Sequence, residues 1–112
     1  MEIEVRSENE VTVVVIRGSV DGLTAEDLTS SLSSLIQAGQ EKLVADFADV
    51  DYTSSAGLRA LLATVKESRQ RGGDIRLSAV RPEVMRVLQL SGFSNILKLY
   101  GDVRAAIASY AA

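Results

Sequence analysis

The sequence contains neither cysteine nor histidine in its 112 residues. Without cysteine, the chain can form no disulfide, no thiolate nucleophile and no cysteine-ligated metal site. Without histidine, it lacks the commonest general base, the usual zinc ligand and every Ser-His triad. The titrating groups that remain are carboxylates, lysines and tyrosines. We therefore predict a protein that is not an enzyme and that binds no metal and no cofactor.

Three further signals are missing. The sequence has no Gly-x-x-x-x-Gly-Lys or Gly-x-Gly-x-x-Gly loop for nucleotide phosphates. Its longest apolar run, residues 11–16, is far too short to span a membrane, and residues 1–4 lack the basic start of a signal peptide. The net charge of −3 gives no general attraction to nucleic acid or anionic lipid. We expect a cytoplasmic, protein-binding chain with no membrane insertion and no nucleic-acid binding.

The hydrophobic pattern predicts β-strands first. Residues 3–6 alternate apolar and polar side chains, and residues 11–16 are rich in β-branched side chains. We predict that these segments form an antiparallel hairpin with a turn at residues 7–10, and that Gly18 ends its second strand. Three more short apolar segments have the length of buried strands, and they are residues 43–47, 75–80 and 96–100.

Apolar side chains at helical spacing lie between these strands. They predict four helices, over residues 24–38, over residues 55–71, from Pro82 towards Gly92, and after Asp102. Thr24 and Asp27 resemble a capping pair at the first helix.

The resulting order, β-β-α-β-α-β-α-β-α, makes the strands that are separated by helices parallel to one another. We predict an α/β fold with a mixed, mostly parallel sheet of about five strands, an N-terminal antiparallel hairpin and about four helices. The length suits one hydrophobic core, so we predict a single domain over residues 1–112.

Two polar segments follow predicted strands. The first is residues 18–21, Gly-Ser-Val-Asp, and the second is residues 46–58, Asp-Phe-Ala-Asp-Val-Asp-Tyr-Thr-Ser-Ser-Ala-Gly-Leu. We interpret residues 51–57 as a loop that leads into the second helix, which begins at Ser55. Strand-to-helix loops of α/β sheets are where ligands and partners usually meet the protein.

This ordered set of motifs resembles the STAS domain, and most closely the anti-sigma factor antagonists of bacterial signalling. The resemblance covers nearly the whole chain, including residues 81–84, Arg-Pro-Glu-Val, and residues 90–93, Leu-Ser-Gly-Phe. In such antagonists a phosphorylatable serine stands two residues before a glycine, and here Ser55 stands two before Gly57. Ser54 occupies the place where the family often has aspartate, which makes Ser54 a second candidate acceptor.

The resemblance implies a partner-switching function. Such antagonists bind a serine-kinase anti-sigma factor when unphosphorylated, are released on serine phosphorylation, and thereby regulate a sigma factor. It also implies a PP2C-type phosphatase that restores the unmodified protein, and a monomer or weak dimer. The partner-binding residues implied are Asp21, Asp51, Ser54, Ser55, Ala56, Gly57 and Arg59.

Simpler interpretations stand beside this one. A serine at a helix start can act only as a cap, which stabilises the helix by ~1 kcal/mol. Arg59 can be a solvated helix charge and Asp21 a turn residue. The alternative function is an unphosphorylated STAS scaffold or transporter-associated subunit. A hydrolytic role for Ser55 is disfavoured, because the sequence around it lacks Gly-x-Ser-x-Gly and the chain lacks histidine.

Overall fold

The computed structural model describes residues 1–111 and contains one five-stranded sheet with helices on both faces. The elements, in chain order, are β1 (Glu2–Glu8), β2 (Val11–Val20), α1 (Ala25–Gln37), β3 (Lys42–Thr53), α2 (Ser55–Gln70), β4 (Asp74–Ser78), α3 (Pro82–Leu90), β5 (Leu99–Tyr100) and α4 (Val103–Ala108). The sheet order is β1-β2-β3-β4-β5, with β1 antiparallel to β2 and the other neighbours parallel. The predicted fold class is confirmed. The predicted domain end at residue 112 lies outside the described residues.

Both faces of the central strands are covered, and this explains their nearly continuous apolar sequence. On one face, Val14 and Ile16 of β2 and Phe47 of β3 pack with the apolar side chains of α1, α2 and α3. On the other face, Val13 of β2 packs with Ile107 of α4. Because α4 is only six residues long, it covers a smaller part of its face than the three longer helices cover of theirs.

The predicted hairpin is confirmed, but its turn and its end were placed wrongly. Strand β1 continues to Glu8, and the turn consists of Asn9 and Glu10, both with positive φ. This mirror-image turn matches the twist of the two strands, and the absence of glycine concealed it in the sequence. Strand β2 does not end at Gly18 but continues to Val20 through a bulge, where Gly18 has φ +100°.

The third strand also extends further than predicted. Residues 51–53 are not a loop: they belong to β3, which runs for 12 residues and pairs with β2 as far as Val20 opposite Thr53. The exposed Asp49 and Asp51 gave this stretch the appearance of a loop. The last strand is shorter than predicted, because the Ile96 and Leu97 amides bond the Phe93 carbonyl oxygen at the end of a 3₁₀ turn. Only Leu99 and Tyr100 pair with β4.

Helix α4 is fastened to the sheet by polar contacts at its C-terminal end. The Tyr110 hydroxyl lies 2.7 Å from the Leu43 carbonyl oxygen and 2.9 Å from that of Asp74. Burial and the nearby Asp74 carboxylate raise the pKa of Tyr110 above its ordinary value. The Arg76 guanidinium lies 3.9 Å from the centre of the Tyr110 ring and also pairs with Asp74 at 3.2 Å. These contacts lie at the edge of the sheet where β3 and β4 begin.

At the opposite edge, where β2 and β3 end, the backbone of β2 touches helix α2. A Cβ atom added to Gly57 would lie 2.2 Å from the Val20 carbonyl oxygen and 2.9 Å from the Val20 side chain. Only glycine fits at this contact. We call this edge the carboxyl edge of the sheet.

We predict that Gly57→Ala destabilises the protein by about 2 kcal/mol or more, because a methyl group there must displace the backbone of β2. The gain in helix propensity, about 1 kcal/mol, offsets only part of this cost. Urea unfolding measures the free energy of unfolding. The matched control is Gly101→Ala, since a Cβ at Gly101 meets nothing within 4 Å. Equal stability of the two variants would contradict the role given to the Val20 contact.

Candidate functional site

The two polar segments singled out in the sequence meet at the carboxyl edge of the sheet. The Ser54 amide donates a hydrogen bond to the Val20 carbonyl oxygen at 3.0 Å, directly where the β2–α1 loop begins. A Cβ added to Gly22 of that loop would lie 3.9 Å from the Ala56 Cβ. The structure therefore brings the loop of Asp21 against the first turn of α2, which carries Ser55.

Ser54 is the N-cap of α2. Its backbone is extended, with φ −98° and ψ 169°, and its hydroxyl oxygen accepts a hydrogen bond from the Gly57 amide at 3.1 Å. An N-cap serine has this geometry because the first amides of a helix have no partner within the helix. The half-buried hydroxyl of Ser54 thus already has a structural role.

Ser55 differs from its neighbour. It is the first residue of α2 and is exposed, and its side chain makes no hydrogen bond within residues 1–111. The helix does not need the Ser55 hydroxyl as a cap, because Ser54 already supplies one. Of the two candidate acceptors, Ser55 is the one that a modifying enzyme can reach without breaking a bond of the fold.

Asp21 shapes the β2–α1 loop. Its Oδ1 accepts hydrogen bonds from the Leu23 amide at 2.9 Å and the Thr24 amide at 3.2 Å, and its carbonyl oxygen accepts from the Ala25 amide at 2.8 Å. The predicted capping pair is wrong: Thr24 holds the N-cap position, but its hydroxyl donates to the Ser19 carbonyl oxygen at 2.9 Å and makes no cap bond. The carboxylate of Asp21 stabilises the start of α1 instead.

Both acidic and basic side chains surround the site. Asp51 is exposed and accepts a hydrogen bond from the Ser19 hydroxyl at 3.2 Å. Asp49 pairs with Arg17 at 3.4 Å and with Arg81 at 4.0 Å. A hydrogen bond from Arg17 to Glu4 raises the pKa of Arg17. Asp49 is thus balanced by two arginines, whereas Asp51 makes no ion pair with any described residue.

The remaining predicted partner residues lie in the first turns of α2. Ala56 is half-buried against the Asp21 loop, and Gly57 is buried against Val20. Arg59 is exposed and makes no ion pair or hydrogen bond with the part of the chain that the structure describes. All seven predicted residues therefore belong to one edge of the sheet, although Ser54, Gly57 and Asp21 also have structural roles.

Two exposed apolar side chains of this edge were missed in the sequence. Leu23, in the β2–α1 loop, is 92% exposed, and Tyr52, near the end of β3, is 55% exposed. The exposure of Leu23 could have been predicted from the sequence. Leu23 lies between Gly22 and Thr24, outside the helical spacing of apolar residues that begins with Leu28 and Leu32, so it does not belong to the buried face of that helix. An exposed leucine in a loop beside a predicted interface is a candidate contact.

The carboxyl edge carries exposed side chains, and a surface cavity lies elsewhere. Within residues 1–111, no group of three or more acidic side chains could hold a metal ion, and no helix there is long and apolar enough to cross a membrane. A surface cavity of about 520 Å³, lined by residues that include Val11, Lys42 and Tyr110, lies at the other edge of the sheet. The surface around Ser55 offers exposed side chains and backbone for a protein partner.

Comparisons with known proteins agree with this architecture. A family model described as the STAS domain matches residues 2–106. A Bordetella bronchiseptica protein, BtrV, provisionally named an anti-sigma factor antagonist, is 34% identical over 98 residues, which is 88% of this chain and 84% of that protein.

Solved structures have the same fold. An anti-sigma factor antagonist from Mycobacterium paratuberculosis superposes with a TM-score of 0.87 at 26% identity, covering 96% of this chain and 92% of that one. The Bacillus cell fate determinant SpoIIAA in its phosphorylated form superposes with a TM-score of 0.74 at 20% identity, covering 97% and 99%. With the family match over nearly its whole length, this chain belongs to the STAS domain family, among relatives that are named anti-sigma factor antagonists.

Proposed function

We propose that this chain is an anti-sigma factor antagonist that binds a serine-kinase anti-sigma factor while Ser55 is unmodified and is released when Ser55 is phosphorylated. A PP2C-type phosphatase would reset the switch, and the chain would act as a monomer or weak dimer. The observation that carries the proposal is the exposed hydroxyl of Ser55, which has no role in the fold, beside a Ser54 hydroxyl that does. The names of the relatives support the class of partner.

A phosphate on Ser55 is compatible with the fold. It adds about −1.5 to −2 charges at neutral pH, and it adds them at a helix N-terminus, where the free amides and the helix dipole favour an anion. The cap supplied by Ser54 is unaffected, because the modified oxygen belongs to a different residue. The solved phosphorylated form of SpoIIAA, a protein of the same fold, agrees with this expectation.

The same phosphate changes the surface that a partner meets. We define the docking surface by its six exposed or half-buried side chains, which are Asp21, Leu23, Asp51, Tyr52, Ser55 and Arg59. Leu23 and Tyr52 supply apolar area for burial, and the charged side chains determine which partners fit. A dianion on this surface must be desolvated before a partner can dock, which lowers the affinity.

The alternative is a constitutive STAS scaffold or transporter-associated subunit that is never phosphorylated. Ser54, which stands where the family often has aspartate, favours it. Such a scaffold would use the same docking surface but would not be phosphorylated.

Phosphate transfer is tested by mixing the chain with ATP and the serine-kinase anti-sigma factor encoded in the same genome, followed by tandem mass spectrometry. We expect one phosphate, on Ser55. Ser54→Ala should still accept phosphate but should lose about 1 kcal/mol of stability with its cap, whereas Ser55→Ala should accept none. Phosphate on Ser54 would refute the assignment of Ser55, and no phosphate on either serine would favour the scaffold.

The charge effect is tested with Ser55→Asp, which should bind that kinase about tenfold more weakly or worse, since one negative charge enters the docking surface. Circular dichroism should stay unchanged and the unfolding midpoint should not fall, because an acidic side chain at a helix N-terminus is favourable. The matched control is Ser34→Asp, an exposed serine of α1 away from the carboxyl edge. Isothermal titration calorimetry measures both affinities, and equal values would exclude an electrostatic mechanism.

Leu23 tests the extent of the docking surface. Because its side chain is 92% exposed, Leu23→Ala should leave stability unchanged, yet weaken kinase binding about tenfold as an apolar contact of ~1.5 kcal/mol is lost. Leu90→Ala is the control, since Leu90 is 82% exposed at the far end of α3. The same affinity for both variants would place the partner elsewhere.

A further inference from the structure

Arg59 stands four residues after Ser55 on the same face of α2. Side chains at this spacing are neighbours, with Cβ atoms about 5–6 Å apart. Helical side chains also lean towards the N-terminus of the helix, so an arginine at position 59 can reach back over the turn that begins with Ser55. Both residues are exposed.

Arg59 has no other partner on its helix. The positions at helical spacing from it are Ala56, Leu62 and Ala63, and the first turn of α2 contains no acidic residue. It makes no ion pair with any residue from 1 to 111, whereas Arg17, Arg69, Arg76 and Arg81 all do. A negative charge on Ser55 would therefore be the first partner available to this guanidinium within the helix.

We propose that phosphorylated Ser55 forms an ion pair with Arg59 within α2, and that this pair withdraws the Arg59 cation from the docking surface. The inference rests on the proposed modification of Ser55 and describes how that modification acts. A guanidinium binds two phosphate oxygens at once, and an acid that precedes a base by four residues has the favourable orientation on a helix. Modification thus changes two features of the surface, because a dianion appears and a free cation disappears.

Acidic side chains on the elements next to α2 act in the opposite direction. Asp21 on the neighbouring loop, Asp51 at the end of β3, and Glu26 and Asp27 in the first turn of α1 are all negative. They oppose the dianion and raise the second pKa of the phosphate above its ordinary value of about 6. Arg59 lowers this pKa, since a cation favours the doubly charged form. The pKa of the phosphate therefore reports the ion pair directly.

The experiment uses phosphoserine incorporated at position 55 during synthesis, so that no kinase is needed. Phosphorus NMR then follows the phosphate through a pH titration in the parent chain and in Arg59→Gln, Arg59→Lys and Lys66→Gln. Lys66 is the matched control, an exposed cation of the same helix seven residues further on.

We expect the second pKa of the phosphate to be higher in Arg59→Gln than in the parent by about 0.2 to 0.4 unit, because the second ionisation adds a single negative charge beside the guanidinium. Arg59→Lys should restore part of the difference, and Lys66→Gln should leave the parent value unchanged. The difference should shrink in about 1 M salt, where the screening length is about 3 Å. Equal pKa values in the parent and Arg59→Gln would overturn the proposal, and so would an equal rise in Lys66→Gln.

The titration and the phosphorylation experiment can fail separately. A pKa difference without phosphorylation by the kinase would support the ion pair and refute the proposed modification. Phosphorylation of Ser55 without a pKa difference would support the modification and refute the ion pair.

Discussion

The contact between the Val20 carbonyl oxygen and Gly57 is the constraint on which the site depends. It allows the end of β2 to lie directly against the first turn of α2, where any side chain at position 57 would collide with backbone. The Ser54 amide bonds the same carbonyl oxygen, so strand, cap and helix are fixed to one another at a single atom. The loop of Asp21 and the helix of Ser55 are consequently parts of one rigid edge, rather than two loops that a partner must order.

At this rigid edge, two serines that are adjacent in the sequence have different roles. Ser54 satisfies a helix amide and is half-buried, so its hydroxyl contributes to stability. Ser55 has the same chemistry but no partner among the described residues, so the fold does not depend on its hydroxyl. Because the two hydroxyls have different roles, the charge at Ser55 can change while the packing around Ser54 stays the same. A reversible binding switch requires such a separation.

Much of the fold could be predicted from local signals. Helical spacing and Pro82 marked the elements and their order, because these features act within a few residues. The long end of β3 could not be predicted, because residues 48–53 are held by pairing with a bulged strand that is distant in sequence. The turn at Asn9 and Glu10 was missed because neither residue is glycine.

The predicted site residues fall at one edge because strand ends and helix starts meet there, but their individual roles are tertiary properties. Nothing local distinguishes the cap at Ser54 from the free hydroxyl at Ser55, or identifies the backbone contact that requires glycine at position 57. The order of the motifs predicted where the site lies. It did not predict which of its side chains support the fold and which are free.

The exposure of Leu23 has a consequence for related proteins within one cell. A side chain that is 92% exposed makes almost no contribution to folding, so the residue at this position can change without a stability penalty. Position 57, by contrast, tolerates only glycine. Duplicated copies of such a chain could therefore diverge at the loop and acquire separate partners while retaining an identical mechanism, and crosstalk between parallel signalling circuits would be set by a few exposed side chains.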